Sequence, residues 1–293
     1  PLAAPWVVCS LAFGGDDDAA VEAIHEAAFG EPQDGFARHI MRDVGGLTIK
    51  FERHSEFVSL TIMSKDGSGA AEAPLRRLRA KRPEGLTLLV AQRAFVSRRS
   101  DDGPLPIGIG GAVRGDIYVS TTVRPGPDGY NDIQFTVGDI GDDQLGRRVQ
   151  RVLEAETYRV MALMGLPLAR RASLELDAFE KELASITVAL ADPGGADEEI
   201  LDRIQTLSAK IEAMRAHTRF RFSASRAYAR LVEERLDGLG ERKIGERPTL
   251  SGFLLARLAP AIRTVRSAEE RQSELSGSVE RALSSLRARV DDT

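Results

Sequence analysis

The sequence holds one cysteine (Cys9), one tryptophan (Trp6) and four histidines in 293 residues. A single cysteine excludes an internal disulfide and any thiolate metal cluster within one chain. Its setting, WVVCSLAF, has the pattern of a buried strand, where a thiol serves as a small apolar filler. No uninterrupted apolar run approaches the roughly 20 residues that span a bilayer. No basic leader with an apolar core is visible either, so a soluble chain is expected. Basic excess is missing as well, since 40 Lys+Arg stand against 44 Asp+Glu. Residues 1–144 contain 15 and 21 of these, and residues 145–293 contain 25 and 23. Neither half suits a nucleic-acid binder, which must neutralise many phosphates. Catalytic patterns are absent too. No pair of histidines has metal spacing, and no Ser, His and Asp set has sequence support. Gly108, Gly110, Gly111 and Gly115 lack the Lys-Ser/Thr of a P-loop and the third Gly of a dinucleotide fingerprint, so they read as a flexible turn. No cofactor is expected.

What remains is a globular composition, 42% apolar and 29% charged, ample for a core. The fold class expected is α+β, with a mostly antiparallel sheet and short helices in residues 1–143 and long helices in 144–293. Pro5 to Phe13 reads as a buried strand. Asp16-Asp17-Asp18 offers a cap to a helix over Ala19 to Phe29, which Gly30 stops. Leu47 to Arg53 and Glu56 to Ser64 form a hairpin around His54-Ser55. Leu75 to Lys81 is a short helix and Leu86 to Phe95 a strand. Asp116 to Val123 and Tyr130 to Val137 pair through an Arg124–Gly129 turn.

From Leu145 the period becomes helical. After an expected break at Gly165-Leu166-Pro167, Ala169, Ala172, Leu176, Phe179, Leu183, Ile186 and Leu190 step alternately by three and four. That is a heptad seam. Beyond a turn at Asp192–Gly195, Asp197 is placed to cap a second helix whose Ile200, Ile204, Leu207, Ile211 and Met214 repeat the stepping. The two seams pair as an antiparallel hairpin over residues 145–236. Thr249 caps a third helix, expected over 249–292, with a stripe from Leu254 to Leu286 interrupted by Gln272. Pro260 is expected to kink this helix or to begin a new one. An amphipathic helix of this length with no cap and no destination reads as leading into a further segment.

VQRVLEAETYRVMALMGLPLAR (Val149–Arg170), RFRFSASRAYARLVEERL (Arg219–Leu236), LARLAPAIRT (Leu255–Thr264) and KFERHSEF (Lys50–Phe57) resemble domain-of-unknown-function family 3422. That family comprises bacterial membrane-anchored proteins. The likeness runs over nearly the whole chain. It implies a pair of hydrophobic segments after the last helix and a short basic stretch before the first residue. It therefore implies a place on the cytoplasmic face of the bacterial inner membrane, and no reaction. A looser likeness, of architecture only, is to the CorA-type magnesium transporters.

Two constellations remain as candidate sites. Arg215, Arg219, Arg226 and Arg230 share one helical face, and the hairpin pairing sets Tyr158 opposite Tyr228, with Glu154, Glu156 and Arg159 on the facing helix. This is either an ion-pair network fixing register or an anion site, with Arg219, Arg221 and Arg226 supplying donors to a headgroup or phosphate. Glu52, His54 and Glu56 alternate. On one continuous strand they would face the same way and suit a divalent ion, whereas a turn at His54 would leave them as solvated turn residues. The leading expectation is a non-enzymatic, membrane-anchored scaffold that forms homo-oligomers through its long helices. The alternatives are a regulatory domain of a CorA-like transport oligomer and an enzyme of unknown reaction.

Overall fold

Alternating apolar residues in the first half of the chain form a single eight-stranded sheet. In this computed structural model, residues 5–15, 17–31, 38–80, 83–99, 108–192 and 196–291 are described. The first half runs β1 (Trp6–Gly14), α1 (Asp18–Phe29), β2 (His39–Val44), β3 (Leu47–Arg53), β4 (Phe57–Ser64), α2 (Glu72–Ala80), β5 (Thr87–Arg98), β6 (Ile109–Val113), β7 (Ile117–Pro125) and β8 (Asn131–Val137). The strand order is β2-β3-β4-β1-β5-β8-β7-β6. Every neighbouring pair is antiparallel except β5 and β8. The expected α+β class with a largely antiparallel sheet is therefore observed, with one parallel junction joining its two meanders.

β1 is central, and eight of its nine residues are buried, because both faces of the sheet are covered here. Val7, Cys9, Leu11 and Phe13 share one core with Ile24 of α1 and Leu75 of α2. Burial pushes the Cys9 thiol up to about 12, so it stays protonated. Asp17 caps α1 by accepting the Ala20 N–H at 3.1 Å. Gly30 ends the helix at φ 77°, a left-handed conformation that glycine adopts without strain. Asp16 lies outside the described residues.

Two strands depart from the sequence reading. Of the glycine series expected as a flexible turn, Gly110 and Gly111 are in fact in β6, the edge strand paired to β7, while Gly108 precedes the strand and Gly115 lies in the turn after it. Gly110 donates its N–H to Pro248 O at 2.9 Å, and Ala112 exchanges backbone hydrogen bonds with Arg242. A Cβ at Gly110 would overlap Val119 O, and one at Gly111 would overlap Arg242 O. Backbone passes close on both sides, and only glycine leaves the room. β2 is the other addition, an edge strand with no fully buried residue.

The second half runs α3 (Asp142–Leu163), α4 (Gly165–Ala191), α5 (Asp197–Asp237) and α6 (Leu250–Asp291). The expected break before α4 is only a one-residue hitch. Met164 keeps helical angles, φ −62° and ψ −21°, and Pro167 falls in the first turn, where its missing N–H costs nothing. Pro260 neither ends α6 nor begins a new helix. Thr249 caps α6 as expected, accepting the Gly252 N–H at 3.0 Å. Asp197, expected as a cap, is instead a first-turn residue of α5 whose carboxylate engages Arg289. The turn residues Pro193, Gly194 and Gly195 lie outside the described residues.

The chain divides into two compact units. One comprises residues 1–160 with 231–255, and the other 161–230 with 256–293. This division differs from the change of periodicity near residue 143, because most of α3 belongs with the sheet. In the helical unit, the α4 and α5 seams meet α6 in one core that extends from Ala169 to Leu286. Arg203 of α5 bonds Glu182 and Ser185 of α4, each at 2.8 Å. Arg271 of α6 bonds Asp177 and Glu180 of α4. These links, with Arg289 against Leu190 O, set α5 antiparallel and α6 parallel to α4. Gln272 is buried and hydrogen-bonds Thr218 at 3.2 Å.

Candidate functional site

The basic face of α5 lies in the helical unit. Arg215 pairs with Glu212 at 2.8 Å and reaches Ser276 at 3.3 Å. Arg226 pairs with Glu269 of α6. Between them Arg219 borders a groove with Phe222, Glu269 and Gln272. Arg221 is half-buried and Tyr228 is buried. Two of the cations on this face are thus already matched by carboxylates of their own unit.

Glu156, Arg159 and Tyr158 belong to the sheet unit. Glu156 and Arg159 form a bidentate pair along α3 at 2.7 Å, which holds Arg159 above its ordinary value. Glu154 pairs with Arg235 near the end of α5. The Tyr158 ring lies edge-on to Phe57, with centroids 6.3 Å apart and the Arg235 guanidinium 5.7 Å from its centre. The acidic and aromatic residues of α3 are therefore occupied within their own unit. α3 lies on the sheet, so its polar side chains find partners there and at Arg235.

Of Glu52, His54 and Glu56, the first two border one cavity and Glu56 does not line it. Glu52 sits on β3, accepts Lys50 at 2.9 Å and lies 3.9 Å from His39. β3 ends at Arg53, His54 donates its backbone N–H to Phe57 O at 2.9 Å, and the chain turns through Ser55 and Glu56. The hairpin interrupts the alternation on which a metal site depended. Among the described residues no group of three or more His, Cys, Asp or Glu is placed to hold a metal ion.

The sheet unit contains a cavity of about 200 Å³ between α3 and the sheet face opposite α1 and α2. Trp6 and Val8 of β1 form its floor, Met63 of β4 and Met41 of β2 its sides, and Val149 and Leu153 of α3 its roof. His54 and Phe57 stand at one end, their rings stacked 4.0 Å apart with 15° between planes. Lys50, Glu52, Glu154 and Tyr158 complete that end. Beneath α3, Gln92 is fully buried, and its Nε2 donates to Leu153 O at 3.0 Å and approaches Thr157 Oγ1 at 3.4 Å.

A family model described as "Protein of unknown function (DUF3422)" matches residues 1–293. The chain belongs to the DUF3422 family. No curated protein and no solved structure matches it. Among the described residues, this DUF3422 protein has no helix long and apolar enough to cross a membrane.

The electrostatics of the DUF3422 cavity follow from its burial. Burial lowers the His54 pKa, against the opposing pull of Glu52 and Glu154, with Lys50 adding to the depression. Burial also raises the Tyr158 hydroxyl, with Glu154 adding to it and Arg235 opposing. Both groups are held uncharged at neutral pH, while Lys50–Glu52 and Glu154–Arg235 cancel as pairs. Sequence reasoning singled out Glu52, His54 and Tyr158 but assigned them to two separate constellations. Gly146, an isolated glycine within a helical pattern, lines the same cavity.

Proposed function

We propose that this DUF3422 chain is the non-membrane part of a bacterial membrane-anchored protein that works by assembly rather than turnover. The observation that carries this reading is the helical unit, whose core is one apolar seam along α4, α5 and α6, the architecture of a spacer or assembly arm. Apolar side chains outside that core support it. Leu174 and Val188, two heptads apart on α4, are each 73% exposed, and Phe220 of α5 is 68% exposed. The anchor itself rests on the family resemblance alone, which implies hydrophobic segments beyond α6 and a position at the cytoplasmic face of the inner membrane.

Light scattering across a concentration series tests the assembly. The expected result is a homo-oligomer that Leu174→Glu with Val188→Glu converts to a monomer. A monomer at every concentration overturns the reading, and a Mg²⁺-responsive pentamer favours the CorA-like alternative instead. Fractionation of cells expressing the full reading frame tests the anchor: the protein should leave the membrane fraction with detergent and not with high salt.

A further inference from the structure

A glycine inside a helix costs about 0.5–1 kcal/mol relative to alanine, so its place in a packed protein calls for a reason. Gly165 has one, because a Cβ there would overlap Ser225. Gly146 of α3 has the opposite surroundings. It borders the cavity over the sheet, and a Cβ added to it would meet no atom within 4 Å. This glycine does not bring two elements close together. It keeps a space open.

The walls of that space select for one kind of molecule. The only tryptophan of the chain and two of its five methionines line it, together with the rings of Phe57 and Tyr158. Aromatic faces and thioether sulfurs make favourable contacts with an aromatic guest. The charged groups around it are matched internally, Lys50 to Glu52 at 2.9 Å and Glu154 to Arg235. An ionised guest would find no uncompensated counter-charge, and burying one without a partner is strongly unfavourable. The floor hydroxyls of Ser10 and Thr61 bond each other at 3.0 Å, which leaves a surface able to meet one polar substituent. An apolar cavity of about 150 Å³ holds benzene, so about 200 Å³ suits one ring with a small substituent. Entry is open beside Met41, which is 63% exposed, and the exposed Gln150.

We propose that the cavity between α3 and the sheet is a binding site for a small neutral aromatic molecule, kept open by Gly146. This site lies wholly within the sheet unit and does not depend on assembly of the helical arm.

The single tryptophan supplies a direct readout, since one indole N–H resonance in a proton–nitrogen spectrum reports on the cavity wall. The full chain is titrated with p-cresol, toluene, benzoate and n-hexanol, and calorimetry runs in parallel. Saturable shifts of the Trp6 resonance are expected with p-cresol and toluene, and at least tenfold weaker binding with benzoate and with n-hexanol. Gly146→Leu fills the space from the helix and Ser59→Leu fills it from the sheet. Each variant should abolish the p-cresol shift while keeping a cooperative melt. The absence of a saturable p-cresol shift in the parent overturns the proposal, as does one that persists in a folded Gly146→Leu variant. Benzoate binding as tightly as p-cresol overturns the neutral class, and n-hexanol binding more tightly overturns the aromatic one.

Discussion

Gly165 of α4 stands so close to Ser225 of α5 that any Cβ at position 165 would overlap the serine Oγ and lie 3.4 Å from Val265 Cγ2. All three residues belong to the helical unit, and Ser225 and Val265 are fully buried. Gly165→Ala should therefore destabilise that unit by about 1–3 kcal/mol through overpacking. Ser225→Ala in the same chain should recover part of the loss. Gly146→Ala should act in the reverse direction and stabilise by about 0.5–1 kcal/mol, because its Cβ enters open space. Urea midpoints of the parent and the three variants check the set, and a stabilising Gly165→Ala would show that the two helices separate freely.

Gln272 interrupts the apolar stripe of α6, where it hydrogen-bonds Thr218. The Thr218 hydroxyl also donates to Met214 O at 3.0 Å, so it keeps a partner if Gln272 is removed. Gln272→Leu should consequently be neutral or stabilising, within about 1 kcal/mol of the parent. Gln272→Glu, which brings a charge to the same buried position, should cost at least about 3 kcal/mol at neutral pH. Thermal melts of both variants decide the matter.

His54 gives a pH dependence with a definite sign. Its folded pKa lies below the ordinary 6.5 because burial disfavours the imidazolium. The unfolded chain therefore takes up a proton first as pH falls. Stability contributed by neutral His54 is complete above 6.5 and declines as pH drops from there toward the lower folded value. The stability difference between the parent and His54→Gln, measured at steps from about pH 7.5 to about 5, should shift against the parent on the acid side. A flat difference would place His54 in solvent.

The arginine face of α5 predicts a response to anions. Glu269 engages Arg226 and borders the groove beside Arg219. Glu269→Gln removes the competing carboxylate, and sulfate should then raise the melting temperature of the variant more than that of the parent. Adding Arg219→Ala should cancel the gain. Equal sulfate effects in all three chains would leave the face as register-setting ion pairs alone.

Legibility in the sequence follows burial closely. The α4 and α5 seams were readable because each heptad position has one apolar destination, and β3, β4 and β8 because one face of each is the more buried. β2 gave no signal because its face is solvated, apart from the half-buried Ile40. β6 was masked by Gly110, which the adjoining β7 backbone at Val119 requires, and by Gly111, which Arg242 some 130 residues later requires. Tyr158 was assigned by extending the hairpin register beyond its seam, although α3 had by then turned its buried side to the sheet. The cavity was not legible at all. Its walls come from four strands and one helix separated by up to about 150 residues, and no local pattern encodes an empty volume.

The ion pair of Glu154 with Arg235 has a consequence for how this chain can vary. It ties α3 to α5 at the level where both leave the sheet unit. The segment between them, residues 161–230, is thus an insertion whose entry and exit lie side by side. Whole heptads added to or removed from α4 and α5 together, matched in α6, should leave that ion pair in place. The two proposed roles, assembly by the helices and binding in the cavity, would then be set by different stretches of the same chain.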